Sequence, residues 1–143
     1  MAGIALAADS TTVIVNGTAI NDLAEGDYVV LTPANPATSH INSNNGGVNI
    51  NERSDRGVHD LALRVQRFSE SDVFLNNLLR QSPPAIIDGS LKENFSRDGV
   101  DGVESWILEL GSLTTQPTST KSGTDGNAVQ EYTLRFRNAA RNV

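Results

Sequence analysis

The chain has 143 residues, 38% hydrophobic and 20% charged, a composition typical of one globular domain that buries a core without a metal or disulfide. Eleven basic residues against seventeen acidic ones give a net charge of −6, which argues against a free-standing nucleic-acid binder. There is no cysteine, and no apolar run is long enough for a signal peptide or a membrane span.

The first half of the chain predicts short strands. In TTVIVNGTAI, valines alternate with polar residues and Asn16-Gly17 suits a two-residue turn, so this stretch predicts a β-hairpin. YVVLTP, at 28–33, predicts a strand that its proline ends. VNINER at 48–53 and DLALRVQRF at 60–68 alternate again, so each predicts a strand with one apolar and one solvated face.

A long polar segment, PANPATSHINSNNGG at 33–47, separates two of these strands, and Ile41 is its one large apolar side chain. Connections in compact domains average about five residues, so a polar segment of this length needs a reason. We expect a long loop that stays mobile until a partner orders it, because it contributes almost nothing to a core. A second polar segment, TTQPTSTKSGTDGN at 114–127, predicts another long loop.

SESDVFLNNLLRQ predicts the one helix of the chain, over about 71–81. Ser69 or Ser71 can cap its start, and Arg80 falls in its last turn, where a basic side chain is favourable. Two consecutive prolines follow and prevent continuation. Because the helix is short and strongly apolar, we expect it to cover an open end or face of a β structure.

The second half predicts further strands. AIIDGSLKENF predicts strand, turn and strand, and SRDGVDGVE predicts turns. SWILELGSL at 105–113 places Trp106, Leu108 and Leu110 on one side, and VQEYTLRFRN at 129–138 alternates most clearly of all. The sum is an all-β sandwich or barrel of about seven or eight strands with one short helix, in a single domain over 1–143.

No motif for catalysis, metal binding or cofactor binding is present. His40 and His59 have no histidine, cysteine or glutamate at a spacing that would make a metal pair. Asp98, Asp101 and Glu104 form a small carboxylate cluster, but Asp-Gly is common turn chemistry, so we favour turns over a cation site. The sequence therefore predicts neither an enzyme nor a cofactor.

Over nearly its full length the chain resembles the tube protein of contractile bacteriophage tails. The resemblance is strongest from IIDGSLKENF through SWILELGSLTTQPTSTKSGTDGNAVQEYTLRFRNA, where a tryptophan-bearing strand passes through a long polar loop into a final strand ending FRNA. The helix DVFLNNLLRQ after the DLALRVQRF strand, and a long loop in the first half, also match the family layout. The secreted ring proteins of type VI secretion share the fold.

The resemblance implies that copies of the chain form hexameric rings, that the rings stack into a hollow tube, and that the sheets of neighbouring subunits join into one barrel around the lumen. It implies a sheath protein outside the tube, a tape-measure protein inside it, and DNA that passes through without tight binding. It also implies a place in the virion tail, assembled in the host cytoplasm. A ring protein of a type VI-like secretion machine and a small ligand-binding β-sandwich remain as alternatives.

Three groups of residues are candidates for such an assembly. Segment 33–47 is expected to reach a neighbouring ring, although a tolerated surface insertion is the alternative. A lumen that DNA passes through should be acidic or neutral, because each basic group that neutralises a phosphate adds affinity. The stacking candidates are Asn35, His40, Ile41, Asn42, Asn44 and Asn45; the lumen candidates are Glu52, Arg64 and Glu93 on solvated strand faces; and the candidates for contact with a neighbouring subunit or a sheath are Arg135, Arg137 and Arg141.

Strict alternation qualifies one of these lumen candidates. It puts Glu52 on the same face as Val48 and Ile50, unless the strand bulges or ends there.

Overall fold

The computed structural model describes residues 3–124 and 126–143, in which nine strands and one helix are found. Seven strands form one antiparallel sheet in the order β2-β1-β7-β8-β9-β6-β3, and β4 pairs with β5 in a separate two-stranded sheet. The elements are β1 (Ile4–Val15), β2 (Thr18–Ile20), β3 (Val29–Pro33), β4 (Thr38–Asn42), β5 (Val48–Glu52), β6 (His59–Gln66), α1 (Glu70–Leu79), β7 (Ile87–Arg97), β8 (Val100–Thr115) and β9 (Val129–Asn142).

The large sheet folds over on itself, so that both of its halves contribute one face to a single core. Within the described residues the edge strands β2 and β3 do not pair with each other, which makes the fold sandwich-like rather than a closed barrel. This confirms the predicted all-β class with one short helix. The first half of the sheet contributes Val13, Val15, Ile20, Ile87, Leu91 and Leu108 to the core, and the second half contributes Leu61, Leu63, Val65, Tyr132, Leu134 and Phe136.

Helix α1 covers one end of this core, as its apolar sequence predicts. Ser69 is the N-cap, and its hydroxyl accepts a hydrogen bond from the Asp72 backbone N–H at 3.3 Å. Leu75 and Leu78 are buried against the sheet. Arg80 is the C-cap residue rather than part of the last turn, so the predicted helix end at 81 is two residues too late.

The β1–β2 hairpin confirms the turn prediction at Asn16-Gly17, since both residues have positive φ angles, 52° and 80°. β1 nevertheless begins at Ile4, far before the alternating valines. Among residues 3–124 and 126–143, the part of β1 that precedes Val13 has β7 as its one pairing partner. The sequence GIALAADS has no alternating pattern, so the pairing partner rather than local propensity makes this segment a strand.

β7 and β8 form one long hairpin where the sequence predicts several turns. β7 is continuous over 87–97, and Asp98-Gly99 alone makes the turn, with φ angles of 52° and 79°. The turn predicted within AIIDGSLKENF is therefore wrong, and of the turns predicted in SRDGVDGVE only the one at Asp98-Gly99 is confirmed. The glycine of a second Asp-Gly pair has a packing role instead, because the Phe95 ring lies 2.5 Å from where a Cβ of Gly102 would be.

A register shift between β7 and β8 changes which residues face the core. Ile87 pairs with Gly111 and Gly89 with Leu108, which leaves one extra residue on β8. Leu110 has a φ of 53°, and its N–H donates to the Asp88 carboxylate at 3.1 Å. Its side chain is 62% exposed, so the predicted alternation that placed it with Trp106 and Leu108 is wrong.

Gly111 is required by the packing of Phe136. A Cβ at this position would lie 2.4 Å from Cδ1 of that fully buried ring and 2.9 Å from the Arg135 carbonyl oxygen. Neither neighbour can move freely, so we expect Gly111→Ala to lower the free energy of unfolding by about 1–3 kcal/mol in urea denaturation. Gly123→Ala is the matched control, because no atom lies within 4 Å of its Cβ position. Equal stability of the two variants would contradict this packing.

Tyr132 ties β9 to α1. Its buried ring carries a hydroxyl that donates to the Asp72 carboxylate at 2.6 Å, and burial first and then this carboxylate raise the pKa of the phenol. We expect Tyr132→Phe to fold but to lose about 1.5–3 kcal/mol of stability, because the lost hydrogen bond is to a charged group. Asp72→Asn should also lower the stability, because a neutral amide oxygen is a weaker acceptor than a carboxylate, and the double variant should lose less than the sum of the two in thermal unfolding. Fully additive losses would contradict the contact.

Candidate functional site

Residues 38–52 form an exposed β-hairpin, which we call the arm. β4 and β5 pair in the register His40 with Ile50 and Ile41 with Asn49, and every residue of both strands is exposed. The predicted strand at 48–53 is thus confirmed, but the predicted loop at 33–47 is wrong for residues 38–42. This segment of polar residues becomes a strand because β5 provides the pairing partner.

Both faces of the arm carry exposed apolar side chains. Ile41 lies on one face, with 62% of its surface exposed. Val48 and Ile50 lie on the other, 54% and 58% exposed, and Glu52 shares their face as strict alternation predicts. An isolated two-stranded hairpin is marginally stable in water, so this arrangement favours a surface that another molecule covers.

The tip of the arm is a tight polar turn. The Ser43 backbone N–H donates to the Gly47 carbonyl at 2.8 Å, and the Ser43 hydroxyl donates to Asn45 Oδ1 at 2.5 Å. Asn44 lies beside them in the turn. Five of the six predicted stacking residues, His40, Ile41, Asn42, Asn44 and Asn45, therefore lie in the arm.

Residues 34–37 and 53–58, which we call the arm base, join the arm to β3 and β6. The Ala34 N–H donates to the Val58 carbonyl at 2.9 Å and the Arg53 N–H to the Ala37 carbonyl at 3.0 Å, so the β3–β6 pairing continues towards the arm. The sixth predicted stacking residue, Asn35, lies here, where its Nδ2 donates to the Asp55 carbonyl at 3.4 Å.

The second predicted loop, 114–127, is partly strand, since β8 runs to Thr115. Residues 116–124 and 126–128 contain no helix or strand, and Asp125 lies outside the described residues.

The three lumen candidates lie on three different surfaces. Glu52 is on the arm, 3.2 Å from Arg56. Arg64 lies between the buried Leu63 and Val65, on the face of β6 that points away from the core. We call this side of the sheet the outer face. Glu93 lies on the same side of β7 as Leu91, so its predicted place on the solvated face is wrong.

Glu93 lines a cleft of 590 Å³ between β3 and the strands β1, β7 and β8. Glu104 is its direct cross-strand neighbour, and Trp106 follows on the same side of β8. Arg141 donates to Glu104 at 2.9 Å through Nε, so one of the two carboxylates is neutralised within the chain.

Each of the three C-terminal arginines already has a partner in its own chain. Arg135 donates to both oxygens of Asp60, at 2.7 and 3.0 Å, and Arg137 donates to the Ser54 carbonyl at 3.2 Å. With Arg141 on Glu104, the basic end of the chain is distributed over the outer face, the arm base and the cleft. The predicted contacts of these arginines with a neighbouring subunit or a sheath stay predictions. In such a contact each arginine would have to bind both the other protein and its partner in its own chain.

Two strand edges are open, and sequence reasoning missed both. β1 before Val13 pairs with β7 alone, and β9 after Phe136 pairs with β8 alone, within the described residues. Open edges offer backbone hydrogen-bonding groups to another chain. The signal that marks them is strand length, because β1 and β9 run for 12 and 14 residues and thus far beyond the core.

The carboxylate cluster of the sequence is dispersed in the structure. Asp98 accepts a hydrogen bond from the Gly3 N–H at 2.8 Å, whereas Glu104 accepts one from Arg141. Across residues 3–124 and 126–143, no three histidine, aspartate or glutamate side chains are grouped so that they could hold a metal ion. In the same part of the chain, no helix is long and apolar enough to span a membrane.

No protein-family model matches the sequence, and no curated protein matches it. Solved structures match by fold. A chain of the anti-feeding prophage cap, the tube-terminating cap, superposes with a TM-score of 0.68 at 13% identity, covering 97% of this chain and 91% of that one. A chain of the sheath–tube complex of the PVC extracellular contractile injection system in its extended state has a TM-score of 0.65 at 15% identity, covering 97% and 92%.

A chain of the PVC sheath/tube terminator in its extended state has a TM-score of 0.65 at 14% identity and covers 97% of each chain. This chain therefore has the fold of contractile injection system tube, cap and terminator structures. The resemblance to contractile-tail tube proteins is confirmed at the level of fold.

Asp60 and Arg135 give the outer face an acid-sensitive contact. The hydrogen bonds from Arg135 hold the pKa of the Asp60 carboxyl below its usual value of about 3.9. Because the folded-state pKa is the lower one, the pair stabilises the fold above about pH 4, and this contribution is lost as the pH falls through the folded pKa. For such an exposed pair, Asp60→Asn should cost less than about 1 kcal/mol near neutral pH.

The free energies of unfolding of Asp60→Asn and the wild type, measured by urea denaturation, should become equal as the pH is lowered below about 3. Glu109→Gln is the control, since that exposed carboxylate has no ion pair within the described residues. A cost of Asp60→Asn that does not change with pH would contradict the contact.

Proposed function

We propose that this protein is the structural subunit of a contractile tail or injection tube, whose copies assemble into hexameric rings that stack around a lumen. The observation that carries the proposal is the whole-chain match in fold, because 97% of this chain superposes on chains of cap, sheath–tube and terminator structures. At 13–15% identity this match describes the fold, so the function is our inference from it. The proposed role is structural and needs no cofactor.

The two open edges support the formation of rings. They lie on opposite sides of the four adjacent strands β1, β7, β8 and β9, so the β1 edge of one copy can add to the β9 edge of the next. Such a contact joins two different surfaces and generates a ring if the rotation closes. The contact between the two edges would cover exposed apolar side chains beside them, including Ile4 and Leu6 on β1.

The arm supports stacking. Its two strands of five residues each extend by about 17 Å from the arm base. Contact with a neighbouring ring would bury Ile41, Val48 and Ile50, which are more than half exposed in the single subunit. Because the arm is already a paired hairpin, ordering it on contact costs less backbone entropy than ordering a loop would.

The same proposal places a sheath protein outside the tube, and a tape-measure protein and DNA inside it, in a tail assembled in the host cytoplasm. A lumen wall formed by one face of the sheet can contain Arg64 or Glu93 but not both, because they lie on opposite faces. On the outer face, Arg64 is the cross-strand neighbour of Glu131, and Arg135 pairs with Asp60, so the charges there are nearly balanced. A lumen wall on which acidic and basic side chains are nearly equal in number binds DNA weakly.

A second candidate is the terminal ring of an extracellular injection device or a secretion-type ring protein. It is favoured by the fold match to the cap and the terminator. The two candidates differ in stack length. A tube subunit forms long stacks by itself, whereas a terminal ring stops after one.

Removal of the arm tests the stacking role. We propose replacing Thr38–Glu52 by an Asn-Gly turn, which reconnects Ala37 to Arg53 across an existing backbone hydrogen bond. No residue of the two arm strands is buried, so the variant should keep the wild-type thermal unfolding midpoint. Electron microscopy and sedimentation should show long stacks for the wild type and single rings for the variant.

A point variant makes the same comparison with less disruption. Ile50→Ser removes an apolar side chain from the arm, and Val73→Ser removes an equally exposed one, 55% against 58%, from α1. Only the arm variant should shorten the stacks. If the variant without the arm forms normal tubes, the arm is a surface insertion with no role in stacking. If the wild type is a monomer at all concentrations, the proposed function is contradicted.

A further inference from the structure

The arm base is attached to β9 as well as to its own hairpin. Arg137 of β9 donates from Nη2 to the Ser54 carbonyl oxygen at 3.2 Å. Gly57 lies so close to the next residue of β9 that a Cβ would come within 2.5 Å of Asn138 Oδ1 and 3.3 Å of the Arg137 carbonyl oxygen. Two adjacent residues of β9 therefore hold the turn from which the arm departs.

This turn also carries hydrogen bonds of its own. Arg53 donates two hydrogen bonds to the Asp55 carboxylate, both at 3.0 Å. The Val58 N–H donates to the Asp55 carbonyl at 3.3 Å. The pKa of the Asp55 carboxyl is lowered chiefly by the hydrogen bonds from Arg53 and, to a smaller extent, by the charge of Arg137.

The contact occurs at the residue where β9 changes its environment. Up to Phe136, β9 lies between β8 and β6, and at Arg137 and Asn138 the turn at Gly57 takes the place of β6. From Ala139 onwards β9 pairs with β8 alone within the described residues, so the open edge begins where the arm base ends. A strand that pairs with this edge acts on the same strand against which Gly57 is packed.

We propose that Arg137, with Gly57 packed beside it, is a positioning residue that sets the direction of the arm relative to the β9 edge. This inference rests on the proposed function. A neighbour that pairs with the β9 edge inside a ring fixes β9, and β9 fixes the arm for the next ring. Ring closure then favours stacking, and by linkage stacking favours ring closure to the same degree.

Amide hydrogen exchange on dilute, unassembled protein tests the contact by itself. We expect Arg137→Ala to accelerate exchange of the arm amides in β4 and β5 by about five-fold, as the loss of one hydrogen bond would. Exchange in β6 and in the first half of β9 should not change. Arg135→Ala is the matched control, because it removes the same charge two residues earlier on the same face, where the partner is Asp60.

Unchanged arm exchange in Arg137→Ala would overturn the proposal, whether or not the protein forms rings. Gly57→Ala gives a second variant that keeps the arginine but forces the turn away from β9, and it should accelerate arm exchange as well. Circular dichroism confirms for each variant that the sheet is folded, so that a local effect is separated from unfolding.

Assembly measurements then separate this inference from the proposed function. Arg137→Ala should form rings at the wild-type concentration but need about five-fold more protein to form stacks. Wild-type stacking by Arg137→Ala with accelerated arm exchange would overturn the coupling. If the wild type forms neither rings nor stacks, the proposed function fails, while the exchange experiment still decides whether Arg137 holds the arm.

Discussion

The packing of the Phe136 ring against β8 and β7 is the constraint on which the rest of the structure depends. The ring occupies the space that a side chain at Gly111 would fill, and it lies 3.5 Å from the Cβ position of Gly89. Three neighbouring strands, β7, β8 and β9, therefore meet around this one ring. The register shift at Leu110 lies beside this contact, where an extra residue is accommodated on β8.

Phe136 also marks the boundary between a packed part and an exposed part of the molecule. On one side, the sheet halves and α1 enclose a well-packed core. On the other side, β1, β7, β8 and β9 continue with little to cover them, and apolar residues such as Ile4, Leu6 and Val100 are mostly exposed. Long strands without a core are a liability in a single molecule, but in an assembly they provide the surface that neighbours share.

Sequence reasoning succeeded where the signal is local. The alternation in β6 and β9, the cap at Ser69 and the turn at Asn16-Gly17 depend on neighbours in the chain, and the structure confirms each of them. It failed where distant pairing decides. The first residues of β1 and the whole of β4 have no strand pattern, and they are strands because β7 and β5 pair with them. The polar segment is unusual already in the sequence, but its hairpin form depends on the pairing of β4 with β5.

The exposure of the arm has a consequence for how such chains diverge. Because no residue of β4 or β5 contributes to the core, a substitution there can alter the proposed stacking contact without altering whether the chain folds. Two descendants of one gene that assemble as proposed can therefore change their arms independently of their cores and lose the ability to polymerise together. A cell that produces both would then keep its filaments unmixed, with the same scaffold serving two separate populations.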